Sequence, residues 1–118
     1  MFSAKLENAV TSVGGGYAAV LMGFDGIAVD SYSKSKDADI ETIGMELSVL
    51  LNEARKASEQ LDAGAAQEMT IRTEKMSTIL RIVNADYFVA ISLGPDGNLG
   101  KARYLLRLLA PEFNRDLS

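Results

Sequence analysis

The sequence predicts an α/β (α+β) fold: a five-stranded, mainly antiparallel sheet with one long helix on one face and two terminal helices on the other. Three observations carry this. Hydrophobic periodicity orders the elements as helix, strand, strand, helix, strand, strand, strand, helix. Short turns separate consecutive strands, which makes those strands antiparallel neighbours. The stretch from Ile40 to Leu61 has helical spacing with apolar residues on two sides, where a surface helix needs one. With 118 residues the chain is most simply one domain, residues 1–118. A chain of this size buries roughly two thirds of the surface its unfolded form exposes.

Phe2, Leu6, Ala9, Val10 and Val13 recur at helical spacing, so the first element is a short amphipathic helix. Gly14-Gly15-Gly16 stops it. Tyr17 to Phe24 and Ile27 to Tyr32 read as strands, and Asp25-Gly26 between them favours a tight two-residue hairpin turn with positive φ at both positions. The first strand is apolar on both faces and belongs inside the sheet, whereas the second alternates and belongs nearer an edge.

A polar loop, Ser33 to Ala38, leads to the long helix. Asp37, Asp39 and Glu41 place negative charge at its amino end, where the helix dipole is positive. Ile40, Ile43, Gly44, Leu47, Leu50, Leu51, Ala54, Ser58 and Leu61 form its inner stripe, the one that packs on the sheet. The helix stops near Gly64. Glu68 to Thr73, Met76 to Val83 and Tyr87 to Leu93 are strands, the last two joined by Asn84-Ala85-Asp86. Gly94-Pro95-Asp96-Gly97 breaks the pattern. Leu99, Ala102, Leu106, Leu109, Ala110 and Phe113 mark the last helix, with Pro111 set to end or kink its final turn.

The composition argues against chemistry by this chain alone. It has no histidine and no cysteine, so neither the side chain that titrates near neutrality nor the usual nitrogen and sulfur metal ligands are present. No cofactor or metal is expected. Asp25, Asp37, Asp39 and Asp96 sit in turns or at helix starts, where capping and turn formation explain them. Gly94-Pro95-Asp96-Gly97-Asn98-Leu99-Gly100-Lys101-Ala102 follows a strand and opens a helix, as a phosphate-binding loop does. Its register is wrong: Pro95 has no amide hydrogen to offer, and Ala102 stands where a magnesium-binding hydroxyl is needed.

The net charge is −4, from 12 basic and 16 acidic side chains, and the basic residues are scattered, so nucleic acid is not an expected partner. No run approaches the ~20 apolar residues of a membrane span, and the amino terminus lacks a signal-peptide pattern. The expectation is a soluble cytoplasmic protein that is not an enzyme and works through a surface.

Met45 and Val49 fall nearly opposite the inner stripe, with Asn52 and Lys56 beside them. These four residues are the candidate partner or dimer surface. Met69 and Ile71, on one side of the Glu68–Thr73 strand, are the candidate dimer edge, because an unpaired sheet edge offers its backbone to a second copy. Edge pairing and helix pairing are compatible in one two-fold homodimer.

The chain resembles the roadblock/dynein light chain family across nearly its whole length. The resemblance rests on the element order, the hairpin Gly23-Phe24-Asp25-Gly26-Ile27-Ala28-Val29, the long helix, the three-strand meander and the segment Asn98-Leu99-Gly100-Lys101-Ala102-Arg103-Tyr104. It implies a homodimer and a platform for a small Ras-like GTPase. It extends to stand-alone bacterial members of the MglB type, which implies stimulation of GTP hydrolysis. It carries over no catalytic residue: Arg55, Arg72 and Arg81 lie on regular elements rather than on a finger loop. The resemblance therefore points to a regulator or scaffold that orders the GTPase's own residues. The alternative is a small-molecule sensing or structural adaptor module without a GTPase partner, which would need a pocket with convergent polar groups.

Overall fold

The computed structural model describes residues 2–36 and 39–118. Met1, Asp37 and Ala38 lie outside the described residues, and with them the assignment of Asp37 to the start of the long helix. The elements are α1 (Phe2–Ser12), β1 (Gly16–Gly23), β2 (Ala28–Ser33), α2 (Ile40–Gln60), β3 (Glu68–Arg72), β4 (Ser77–Ile82), β5 (Tyr87–Leu93) and α3 (Leu99–Leu117). This is the predicted order. The five strands form one antiparallel sheet in the order β2-β1-β5-β4-β3, so β2 and β3 are its edges.

The sheet has a core on each face, as alternation along the strands requires. On one face Ala19, Leu21, Ile79, Val89, Ile91 and Leu93 meet Leu6 and Val10 of α1 and Ala102, Leu106 and Phe113 of α3. On the other, Val20, Met22, Leu80, Phe88 and Ala90 meet Ile40 and Leu51 of α2. Within the sheet, the buried hydroxyls of Thr78 and Ser92 satisfy each other at 2.8 Å.

Two local expectations are corrected. The hairpin between β1 and β2 is not a two-residue turn. Gly23 N–H donates to the Ile27 carbonyl and Gly26 N–H to the Gly23 carbonyl, leaving a three-residue loop, Phe24 to Gly26. Only Gly26 has positive φ, at 86°. Asp25 instead accepts the Ile27 N–H on its carboxylate, which favours the longer loop. Pro111 does not end the last helix, which runs through it to Leu117. The ring removes one amide hydrogen, but Pro111 and Arg107 are both on the exposed side, so the freed Arg107 carbonyl is not shut away from solvent.

The two glycine-rich loops prove to be one joint. Gly15 carbonyl accepts the Gly94 N–H at 2.8 Å, and Gly14 carbonyl accepts the Asn98 N–H at 2.9 Å. A Cβ on Gly15 would stand 2.6 Å from the Gly97 Cα, so the backbones touch where no side chain fits. Asn98 then caps α3 through the Lys101 N–H. The Gly94, Gly97, Asn98 and Lys101 amides are already bonded within the protein, which adds to the case against the phosphate-loop reading.

Candidate protein-interaction surface

Helix α2 begins at an Asp39 cap. The carboxylate accepts the Thr42 N–H at 3.0 Å and the Thr42 hydroxyl at 2.6 Å. The Thr42 hydroxyl and then its amide hold the Asp39 carboxyl below its ordinary value of 3.8. From there the buried line of α2 runs Ile40, Gly44, Ser48, Leu51. Two of these four side chains are minimal, and that is why the helix sits close. A Cβ on Gly44 would come within 3.2 Å of the Met22 and Val20 side chains of β1. Ser48 returns its hydroxyl to the Met45 carbonyl at 2.7 Å, so its burial leaves no polar group unpaired.

This line lies to one side of the predicted inner stripe. Leu50 and Leu61, both assigned to that stripe, are 50 % and 76 % exposed. Leu61 is the C-cap, past the last helical turn. Leu50 is turned away because the close approach at Gly44 and Ser48 rotates the helix onto its small residues. Met45 is 48 % exposed and Val49 61 %. Asn52 is half-buried and Lys56 exposed, with its ammonium 3.5 Å from Glu53. The helix therefore presents two apolar flanks. Met45 and Val49 form one, on the side of the β1–β2 hairpin, where the Met45 Cγ lies 3.3 Å from where a Cβ on Gly26 would be. Leu50 forms the other, beyond Ile43 and Leu47.

Met69 and Ile71 share the α2 face of β3, and Met69 packs against the cluster that holds Ile43 and Leu47. The predicted helix and edge residues thus lie on the same face of the sheet. On the opposite face Glu68 joins the Arg81 guanidinium at 3.1 Å and Arg103 of α3, whose Nε donates at 2.6 Å.

Of the three arginines considered as fingers, two are committed. Arg55 stacks 4.0 Å over the Phe24 ring and donates to the Ala85 carbonyl at 3.2 Å. Arg81 is paired with Glu68. Arg72, on the outer edge, has no ion-pair partner among the described residues. A depression of about 350 Å³ is lined by Arg55, Glu59, Ala65, Ala66, Ile82, Asn84 and Ala85. No group of carboxylates able to hold a metal occurs among the described residues, and no helix there is long and apolar enough to cross a membrane.

A profile of the Roadblock/LC7 domain matches residues 3–92. The chain belongs to the Roadblock/LC7 domain family. Its solved relatives agree. MglC from Myxococcus xanthus is 40 % identical, with 96 % of each chain covered and a TM-score of 0.68. A Roadblock/LC7 domain from Streptomyces avermitilis is 16 % identical over 98 % of this chain and 96 % of that one, with a TM-score of 0.87. The gliding protein MglB from Thermus thermophilus is 15 % identical over 95 % and 84 %, with a TM-score of 0.83. The last two share the fold, whereas the first also shares sequence. No match was found among curated proteins. Roadblock membership supports a regulatory or scaffolding role.

Sequence reasoning missed Ser48 as a buried contact and Leu50 as an exposed one. A hydrophobicity pattern ranks leucine above serine for burial. The signal that would have corrected it is the Gly44–Ser48 spacing of four, which marks a line of close approach.

Proposed function

We propose that this roadblock chain is a homodimeric regulator or scaffold that binds a small Ras-like GTPase. The observation that carries the reading is the pair of exposed apolar flanks on α2. A helix serving only its own core would leave neither in water. The Leu50 flank lies towards the cluster containing Met69 and serves the second copy, together with β3. The Met45, Val49, Asn52 and Lys56 flank serves the GTPase, with an apolar centre and a polar rim suited to a reversible contact.

Any stimulation of GTP hydrolysis would come from ordering the GTPase's own residues. Arg55 and Arg81 are held by Phe24, the Ala85 carbonyl and Glu68, away from the role of an inserted finger.

The test is a Met45→Glu/Val49→Glu double variant, captured on purified GTP-loaded small Ras-like GTPases that bind the parent chain. Capture should weaken by at least about tenfold, the scale of losing a central apolar contact. Circular dichroism and light scattering should show an unchanged fold and an unchanged dimer. Unchanged capture would remove α2's outer flank from the GTPase contact. No saturable binding to any member of the panel would remove the GTPase reading.

A further inference from the structure

Helix α3 has an outer line as well as an inner one. Lys101, Tyr104, Leu108, Pro111 and Arg115 recur at spacings of three and four, opposite the buried Ala102, Leu106, Ala110 and Phe113. All five are exposed, Tyr104 by 55 % and Leu108 by 51 %. The line is about 21 Å long at 1.5 Å per residue. A lone exposed apolar side chain is ordinary, but here a tyrosine, a leucine and a proline adjoin along two turns and make a crest.

The charges around this crest are unequal. The two acidic side chains of α3 are tied up, because Lys5 of α1 holds Asp116 at 2.9 Å and Glu112 at 3.8 Å. Glu7 stands on the flank of α1 away from Lys5, Asn8 and Ser12, which line the hollow toward α3. Lys101, Arg107 and Arg115 have no ion-pair partner among the described residues. Helix α3 thus carries four basic and two acidic side chains in a chain whose net charge is −4. Helix α2, on the other face of the sheet, carries four acidic and two basic ones. Its cations are engaged, Lys56 with Glu53 and Arg55 over the Phe24 ring. The molecule is polarised across the sheet, positive outside α3 and negative outside α2.

Shape decides what such a face can meet. A partner helix needs a groove to lie in. The hollow between α1 and α3 holds about 170 Å³, and the Lys5–Glu112 pair ties its two walls together. A latched hollow is a poor slot for an inserted helix. A straight crest with apolar side chains at its top, and cations spread along its length, matches a plane of anionic headgroups instead. Apolar side chains enter the boundary between headgroups and acyl chains, while long Lys and Arg stems carry their charges to the phosphates.

We propose that the α3 crest docks this protein on an anionic lipid surface. Tyr104 and Leu108 enter the interface, and Lys101, Arg107 and Arg115 meet lipid phosphates. The acidic α2 side turns to water, so its apolar flanks stay open to protein partners. The contact is peripheral, since no helix among the described residues is long and apolar enough to cross a membrane.

The test uses the full chain and vesicles of phosphatidylcholine and phosphatidylglycerol in equal parts, beside vesicles of phosphatidylcholine alone, read by flotation. The chain should float with the mixed vesicles only, and less so as salt is raised. Lys101→Gln/Arg107→Gln should weaken that binding by roughly thirtyfold, for two cations lost beside a charged surface. Lys34→Gln/Lys36→Gln, the same change of charge in the loop after β2, should leave it at the parental level. Tyr104→Ser/Leu108→Ser should still bind in low salt but lose what binding survives in high salt, because apolar burial is not screened. Circular dichroism should show all three variants folded like the parent.

A chain that does not float with the mixed vesicles in low salt would overturn the proposal. Equal flotation with both kinds of vesicle would overturn the role of anionic headgroups. Equal losses from the two lysine and arginine pairs would overturn the crest as the contact. Release by inorganic phosphate, beyond that by chloride of matched ionic strength, would overturn the lipid surface in favour of a single-anion site. Binding to polyglutamate by a chain that ignores vesicles would overturn it in favour of an acidic protein.

Discussion

The two edges of the sheet are built differently, and the difference separates an edge that ends a sheet from one that can extend it. On β2, Leu21 faces Asp30 while Met22 faces Ala28, so Val29 is an extra, unpaired residue. Such a bulge bends the strand and spoils it as a template. Both α1 and α2 also pack on β2, and Tyr32 is drawn into the α1–α3 core. On β3 the five residues keep one unbroken register with β4. Its tie to the helices on the α3 side is the Glu68–Arg103 pair. Of the two edges, β3 is the regular and less covered one, the kind of edge that can take a further strand.

The sharpest way to break the comparison is Thr70→Pro. Its amide faces outward, so the ring takes nothing from the β3–β4 ladder but blocks the outer edge. The proposed dimer should weaken by roughly a hundredfold, read by sedimentation or light scattering across a dilution series, with a near-parental circular dichroism spectrum. An intact dimer would mean that β3 is not the seam. A smaller effect is expected from Asp39→Ala, which removes the cap that starts α2 over the β1–β2 half. The native carboxyl titrates below 3.8, so its contribution is complete above that value and is lost as pH falls through the lower native value. The variant should melt below the parent at neutral pH, and the gap should close in acid. The smallest effect belongs to Val29→Lys on the bulged edge, which should change the dimer constant by less than about twofold. A larger change there would make β2 an interface too.

How much of this could be read from the sequence depended on the range of the interactions. Element order and the placement of α1 and α3 opposite α2 followed from periodicity and turn length, which are local, whereas the edge position of β3 is fixed only by the sheet order β2-β1-β5-β4-β3. The misreadings arose where tertiary contacts outrank hydropathy. Ser48 is buried and Leu50 exposed because Gly44 lets α2 close on Met22 and Val20. The hairpin lengthened because the Asp25 side chain bonds the Ile27 amide. The bulge at Val29 has no signature in composition, since the residue suits a regular strand equally well. The flanks of α2 were visible as apolar positions, but their division into two sides depends on where the helix rests.

The joint between Gly14–Gly16 and Gly94–Asn98 has a consequence for how the chain assembles. The loop after α1 and the loop before α3 fill one slot, backbone against backbone, although most of the sequence separates them. Neither loop has its native partners until the other arrives. The chain must therefore bring distant segments together before the α1–α3 layer gains its last hydrogen bonds. Contacts of such long sequence separation slow folding, and they also make the transition all-or-none. The helices at the two ends of the fold should then be gained and lost as one unit.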